Sequence, residues 1–137
     1  MTLERFRALC LAQPGATEQI QWRVDAVFKV GGKMFAVACT DFTDYPEVPV
    51  GSFKCAADTF AELSERDGIV PAPYLARARW VALREWSALS DKALMQLVAQ
   101  GYALVRAGLP KKVQAAIAGQ PGAEAVLSGR RIVRDHR

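Results

Sequence analysis

The pair Gly31-Gly32 restricts the fold of this chain more than any other feature of its sequence. It separates two β-rich runs, residues 24–30 and 33–39, and alternate positions of the first run form a fully apolar set. A tight connection between antiparallel strands requires positive φ angles, which glycine adopts without steric cost. The sequence therefore predicts a β-hairpin centred on the two glycines.

Four helices are predicted from apolar residues at helical spacing and from residues that begin or end helices. They are a first helix capped by Thr2 and ended by Pro14-Gly15, a second capped by Asp58 and closed by Asp67-Gly68, a third capped by Ser90 and broken at Gly108 and Pro110, and a short fourth over residues 111–118. Helices therefore lie both before and after the hairpin along the chain.

Two further strands are predicted, at residues 50–55 and 79–83, while Pro71 and Pro73 are expected to prevent regular structure between them. Residues 40–49 hold acids and prolines and are expected to form an exposed loop. No repeated strand–helix–strand unit is visible, so a doubly wound parallel sheet is not indicated. The order predicts an α+β fold with an antiparallel sheet of about four or more strands and helices packed on one face.

Length and charge divide the sequence into a folded body and a basic tail. A length of 137 residues suits one domain, which we assign to residues 1–118. Residues 119–129 are small and rich in helix breakers, so residues 119–137 are expected to form a separate C-terminal tail. The net charge of +4 arises after residue 110, and Arg130, Arg131 and Arg134 are expected to attract polyanions.

The side chains that most catalytic and metal sites require are missing or poorly placed. The chain has one histidine, His136, next to the C-terminus, so neither a catalytic triad nor a histidine-based metal site is indicated. The three cysteines form no CxxC pair and are expected to be buried free thiols. We therefore expect no catalytic residue, no metal and no cofactor, and a binding protein rather than an enzyme.

The sequence also lacks the signals of membrane insertion and export. No apolar run approaches the roughly 20 residues that span a bilayer. The amphipathic start of the chain is unlike a signal peptide, in which an apolar block follows a basic start. We expect a soluble, cytoplasmic protein with no membrane partner.

Basic and aromatic residues near the predicted strands are the candidate contacts for nucleic acid. They share a place on a strand or beside one: Lys29, Lys33, Lys54, Arg77, Arg79, Trp80 and Arg84. If helices cover one face of the sheet, the other face is exposed, and its cations and rings contact phosphates and stack on bases. The spacing alone favours the alternative, in which the tryptophan packs in the core and the charges only keep the sheet soluble.

Several segments, in their order and spacing, resemble the MmcQ/YjbR-like family over roughly residues 3 to 118. Residues 27–36 (VFKVGGKMFA) resemble the central hairpin of that family, and residues 14–18 (PGATE) fit its early part. Residues 71–75 (PAPYL), followed by Trp80, resemble its proline, tyrosine-leucine and tryptophan segment. Residues 109–112 (LPKK) are similar to its closing helix break.

The resemblance implies a cytoplasmic bacterial protein with a frataxin-like (CyaY-like) α+β fold, from a family commonly labelled as DNA-binding with a double-wing arrangement. Carried over by position, it implies the open-face contacts Lys29, Lys33, Lys54 and Trp80, with Arg77 and Arg79 in the basic stretch before the tryptophan. This chain departs from the pattern at Arg23, where the family has glycine. Gly101 and Gly108 also stand in the last long helix, where better helix formers are expected.

We therefore expect a domain that binds DNA or another polyanion with low sequence specificity, because no recognition helix is visible. The alternative is a protein- or small-ligand-binding module, in which a cleft near Trp80 and Tyr74 holds an apolar partner. Iron binding, suggested by the frataxin likeness, is disfavoured because the first helix carries Glu4 against Arg5 and Arg7 instead of an acidic ridge. An enzyme of unrecognised chemistry ranks third.

Overall fold

The predicted hairpin lies within an antiparallel sheet in the computed structural model, which describes residues 1–22, 24–41, 48–73 and 75–118. Within these residues the sheet has six strands in the order β1-β2-β3-β4-β6-β5: β1 (Ala16–Gln21), β2 (Asp25–Val30), β3 (Lys33–Cys39), β4 (Gly51–Lys54), β5 (Ile69–Pro71) and β6 (Trp80–Leu83). The helices are α1 (Leu3–Leu11), α2 (Ala57–Leu63), α3 (Asp91–Ala107) and α4 (Lys111–Ala118). The architecture is the predicted α+β class. The proposed tail, with Arg130, Arg131 and Arg134, lies outside the described residues.

The hairpin turn depends on glycine for two separate reasons. Gly31 and Gly32 have φ angles of 58° and 82°, as a tight turn requires. A Cβ atom on Gly31 would also lie 2.6 Å from a δ-carbon of Leu109. Glycine therefore suits the turn both because it adopts positive φ angles and because, at Gly31, it has no side chain to overlap Leu109.

Two edge strands correct the sequence prediction. β1 lies between the first helix and the hairpin, where no strand is predicted, and it pairs antiparallel with β2. Its residues (ATEQIQ) are mostly polar, because an edge strand can keep much of its side-chain surface in solvent. β5 includes Pro71, which was expected to prevent regular structure. This strand is the opposite edge of the sheet, where a missing backbone N–H need not interrupt the ladder.

The two faces of the sheet carry different side chains. On the covered face, where the helices pack, strand residues join one large core with α1 and α3; its largest side chains include Phe6, Phe28, Phe35, Phe53 and Leu94. On the opposite face, which we call the open face, a smaller apolar cluster consists of Val27, Val37, Ala72, Trp80 and Ala82. The packing of helices on one face is as predicted.

α3 lies against the end of β4 at Gly101. A Cβ atom at this position would lie 2.3 Å from the carbonyl oxygen of Lys54. No side chain fits at that distance, so glycine permits the close packing of helix and sheet. Gly101, although unfavourable for helix propensity, therefore has a packing role. At Gly108, by contrast, an added Cβ atom would meet no atom closer than 3.6 Å.

Two of the predicted helix caps are present and one is replaced. The hydroxyl groups of Thr2 and Ser90 each accept a hydrogen bond from a backbone N–H three residues further on. α2 instead begins after Ala56, whose side chain cannot cap it. Asp58 lies within the first turn of α2, where its negative charge still faces the positive end of the helix dipole.

Candidate functional site

Three of the predicted cations lie at one end of the sheet, which we call the turn end because it holds the Gly31-Gly32 turn. β2 and β4 finish at this end and β3 begins here, because neighbouring strands are antiparallel. Lys29 is near the end of β2, Lys33 is the first residue of β3 and Lys54 is the last residue of β4. The strand order therefore brings the three lysines onto adjacent strands.

Two of these lysines have polar partners within the protein. Lys29 Nζ donates a hydrogen bond to Gln19 Oε1 at 3.1 Å. Lys54 Nζ donates to the carbonyl oxygen of Ala78 at 2.6 Å. An ammonium group has three donors, so each of these contacts leaves donor capacity for an anionic ligand. Lys33 is exposed.

Arg77 and Arg79 join the lysines because β6 also begins at the turn end. Arg77 belongs to the short 3-10 helix Ala76–Ala78, and Arg79 follows it with a φ angle of 63°. The carbonyl oxygen of Arg79 accepts a hydrogen bond from the N–H of Cys55 at 2.9 Å, which ties this segment to the end of β4. Both arginines are exposed, so their side chains are accessible to a ligand.

Arg84 and Trp80 do not have the surroundings that the sequence prediction requires. Arg84 follows β6 at the end of the sheet opposite the turn end, where its N–H donates to the carbonyl oxygen of Gly68. Trp80 lies on the open face but is only 3% exposed, because it is packed within the apolar cluster there, with Leu75 against it. An indole ring buried in this way offers no face on which a base can stack.

Lys111 and Lys112 are further cations at the turn end that the sequence prediction did not include in the site. They begin α4, and both are exposed. Leu109 and Val113, on either side of them, lie next to Gly31. The sequence shows a basic pair after a helix break, but it contains no local pattern that predicts the docking of this segment on the hairpin turn.

A groove opens at the turn end, between the sheet and the last turns of α3. It has a volume of about 410 Å³, and its lining includes Lys33, Met34, Lys54, Leu75, Trp80 and Leu104. Most of these side chains are apolar, with the two lysines as the charged groups among them. The groove corresponds to the cleft predicted near Trp80, whereas Tyr74 lies outside the described residues.

Acidic groups mark the other end of the fold. Asp91 begins α3 and forms ion pairs with the N-terminal amino group at 2.9 Å and with Arg5 at 2.8 Å. The hydrogen bond from the amino group is the main reason why the pKa of Asp91 is lowered. Asp25 begins β2 at this end, and burial raises the pKa of its carboxyl group. Asp25 and Asp91 therefore lie at the end of the fold opposite the five predicted cations Lys29, Lys33, Lys54, Arg77 and Arg79.

The three cysteines are free and buried, as expected. Burial raises the pKa of each thiol: well above the usual value for Cys10, to about 11 for Cys55, and in the same direction for Cys39. A thiol with a raised pKa is mostly protonated at neutral pH and is a weak nucleophile. These surroundings do not activate a cysteine for catalysis.

The described residues contain neither a candidate metal site nor a helix suited to span a membrane. In the described ranges, no three side chains of the His, Cys, Asp or Glu type come together as a candidate metal site. No helix within the same residues has the length and apolar character needed to cross a membrane.

Comparisons with known proteins agree with the fold. A model of the YjbR family matches residues 11–104. Among curated proteins there is no match. A solved structure of a protein from Pseudomonas syringae, a target of the Northeast Structural Genomics Consortium, is 16% identical in sequence, with a TM-score of 0.62. The similarity covers 77% of this chain and 99% of that one, and at this level of identity it shows the fold alone.

Proposed function

The chain belongs to the YjbR family, and from the cations at the turn end we propose that it is a non-catalytic domain that binds polyanions, with DNA as the leading candidate. One observation carries the proposal: Lys29, Lys33, Lys54, Arg77 and Arg79 converge on one end of the sheet. The proposal assigns the protein to the cytoplasm, as the family resemblance implies.

The spacing of the cations suits contact with a phosphate backbone. The lysines lie on the neighbouring strands β2, β3 and β4, and the two arginines lie in the segment that leads into the next strand, β6. Because neighbouring strands lie about 4.8 Å apart, the row is about 14 Å wide. One strand of duplex DNA presents a phosphate about every 3.4 Å along the helix axis. The row is therefore wide enough to face several consecutive phosphates of one strand.

Low sequence specificity follows from the side chains that are available at the turn end. Lysine and arginine contacts to phosphate position a nucleic acid but do not read its bases. The tryptophan of the open face is buried and cannot stack. α1 and α3 pack on the covered face, so they do not project as recognition helices. We therefore expect affinity to arise mainly from counterion release.

A titration of duplex DNA across salt concentrations tests the proposal. The slope of log affinity against log salt should be near −0.9 for each phosphate contact. Replacing Lys33 with Gln should make the slope shallower by about 0.9 if this exposed lysine faces one phosphate. Arg84→Gln is the matched control, because it removes the same charge at the opposite end of the sheet. We expect Arg84→Gln to leave the slope unchanged.

The outcomes separate a local binding surface from a general charge effect. Equal changes in Lys33→Gln and Arg84→Gln would contradict binding at the turn end. Absence of binding at low salt would contradict the proposed function itself. A variant of the 137-residue chain with Arg130, Arg131 and Arg134 replaced by Gln should keep most of the slope. Complete loss of binding in that variant would assign the interaction to the C-terminal residues.

A further inference from the structure

The groove at the turn end combines an apolar wall with a fixed positive charge. Lys54 Nζ donates to the carbonyl oxygen of Ala78 at 2.6 Å, and both residues line the groove. This hydrogen bond uses one of the three donors of the ammonium group. The charge is therefore held at the groove wall before any ligand arrives, with donors still available. A ligand that uses it has less side-chain freedom to restrict on binding.

The apolar side chains that line the groove are partly exposed to solvent. Leu104, on α3, is 41% exposed although it lies beside the groove. Met34 and Leu75 are half-buried and pack on the edge of the open-face cluster. A volume of about 410 Å³ lies within the range of about 300–1,000 Å³ that is typical of small-molecule sites. The size and the apolar lining favour a small organic body.

We propose that this groove binds a small organic anion with an apolar body, of the class represented by a medium-chain carboxylate. Its charged group would contact Lys54 and Lys33, and its apolar part would cover Leu104, Met34 and Leu75. Charge complementarity selects the sign of the ligand, because the charged side chains in the lining are both lysines and no acidic residue lines the groove within the described chain. This inference does not depend on the binding of a polyanion.

The methionines of the chain provide a direct test by NMR, with each methyl group labelled with ¹³C. Met34 lines the groove, whereas Met1 and Met95 line a different hollow together with residues of α1. Octanoate is titrated at constant ionic strength, with octylammonium and acetate as probes that lack the negative charge and the apolar tail. We expect octanoate alone to shift the Met34 signal saturably. The Met1 and Met95 signals should stay in place.

Variants locate the binding. Leu104→Glu introduces a negative charge beside the groove at an exposed position, and it should weaken octanoate binding at least tenfold. Met95→Glu is the matched control, because Met95 is 51% exposed on the same helix but lies outside the groove. It should leave the Met34 titration unchanged. Lys54→Met should also weaken octanoate binding, and a urea unfolding curve establishes that each variant is folded.

Several outcomes would overturn the inference. An unchanged Met34 signal at millimolar octanoate would exclude the site. Equal responses to octanoate and octylammonium would show that the groove does not select an anion. Parallel shifts of Met1, Met34 and Met95 would indicate general surface association. Octanoate binding that survives Leu104→Glu would place the ligand elsewhere.

Discussion

Both faces of the sheet are apolar at the centre, but different parts of the chain bury the apolar side chains on each face. The covered face receives α1 and α3, and its aromatic side chains are fully buried beneath them. Within the described residues, no α-helix contributes to the cluster at the centre of the open face, yet Val27 and Trp80 are also buried because Ala72, Leu75 and neighbouring side chains pack around them. The centre of a sheet face can therefore be shielded from solvent without a helix packed on it. Among the described residues, the lysines and the groove that make up the candidate site lie at the turn end of the sheet.

The largest expected effects test whether the centre of the open face is truly closed. Trp80→Ala should lower the free energy of unfolding by about 3–5 kcal/mol, the usual cost of removing a buried large aromatic side chain. Phe53→Ala on the covered face should cost a similar amount, about 3–5 kcal/mol. Urea unfolding followed by circular dichroism measures both values.

Trp22→Ala is the control for a tryptophan outside the core. Trp22 is 61% exposed, so the substitution should change the stability by less than about 0.5 kcal/mol. A cost for Trp80→Ala as small as that for Trp22→Ala would contradict the burial of Trp80. It would also restore base stacking as a role for this ring.

The next effect concerns how closely the covered face approaches its helix. Gly101→Ala should destabilise the fold by about 1–3 kcal/mol, because the new methyl group would overlap the carbonyl oxygen of Lys54 unless α3 moves away. Gly108→Ala meets no atom closer than 3.6 Å and should be neutral or stabilising by up to about 1 kcal/mol. Equal effects in the two variants, measured by urea unfolding, would mean that helix propensity and not helix–sheet contact determines the result.

The central elements were predictable from sequence because their signals are local. The Gly31-Gly32 turn has one good structural solution, and the hydroxyl caps at Thr2 and Ser90 act within a few residues. The edge strands β1 and β5 were missed because pairing with a neighbour, and not apolar periodicity, defines them. The role of Gly101 was missed for a related reason, since its partner is 47 positions earlier in the chain, at Lys54.

The sequence predicted most of the residues that lie near the candidate site, but not how deeply each side chain is buried. Alternation along β2 and β4 is enough to place Lys29 and Lys54 on the same face. Whether Trp80 on that face is open or sealed depends on how residues 72–79 pack, which no periodicity describes. Arg84 was included because it flanks the strand that holds Trp80, but the direction of β6 carries it to the other end of the sheet. Residues that are close in sequence can therefore lie at opposite ends of the sheet when a strand runs between them.

The smallest effect compares two buried thiols, at opposite ends of the sheet, as pH rises. Burial raises the pKa of Cys55, on the covered face, to about 11, from a usual value of 9.0. The unfolded chain therefore loses this proton first, and the free energy of unfolding should fall as pH rises from about 9 through 11. Burial also raises the pKa of Cys39, which lies opposite Asp25 at the other end of the sheet from Cys55.

Urea unfolding at intervals between pH 8 and 11 measures this dependence. Cys55→Ala should lower stability at every pH but make its decline with pH shallower than in the unmodified chain. Cys39→Ala should flatten the decline less, because Cys55 has the pKa shift large enough to reach about 11. A larger flattening in Cys39→Ala would show that the end of the sheet opposite the turn end desolvates its thiol more strongly. The two ends of the sheet would then differ in the opposite sense to that expected from the pKa shifts.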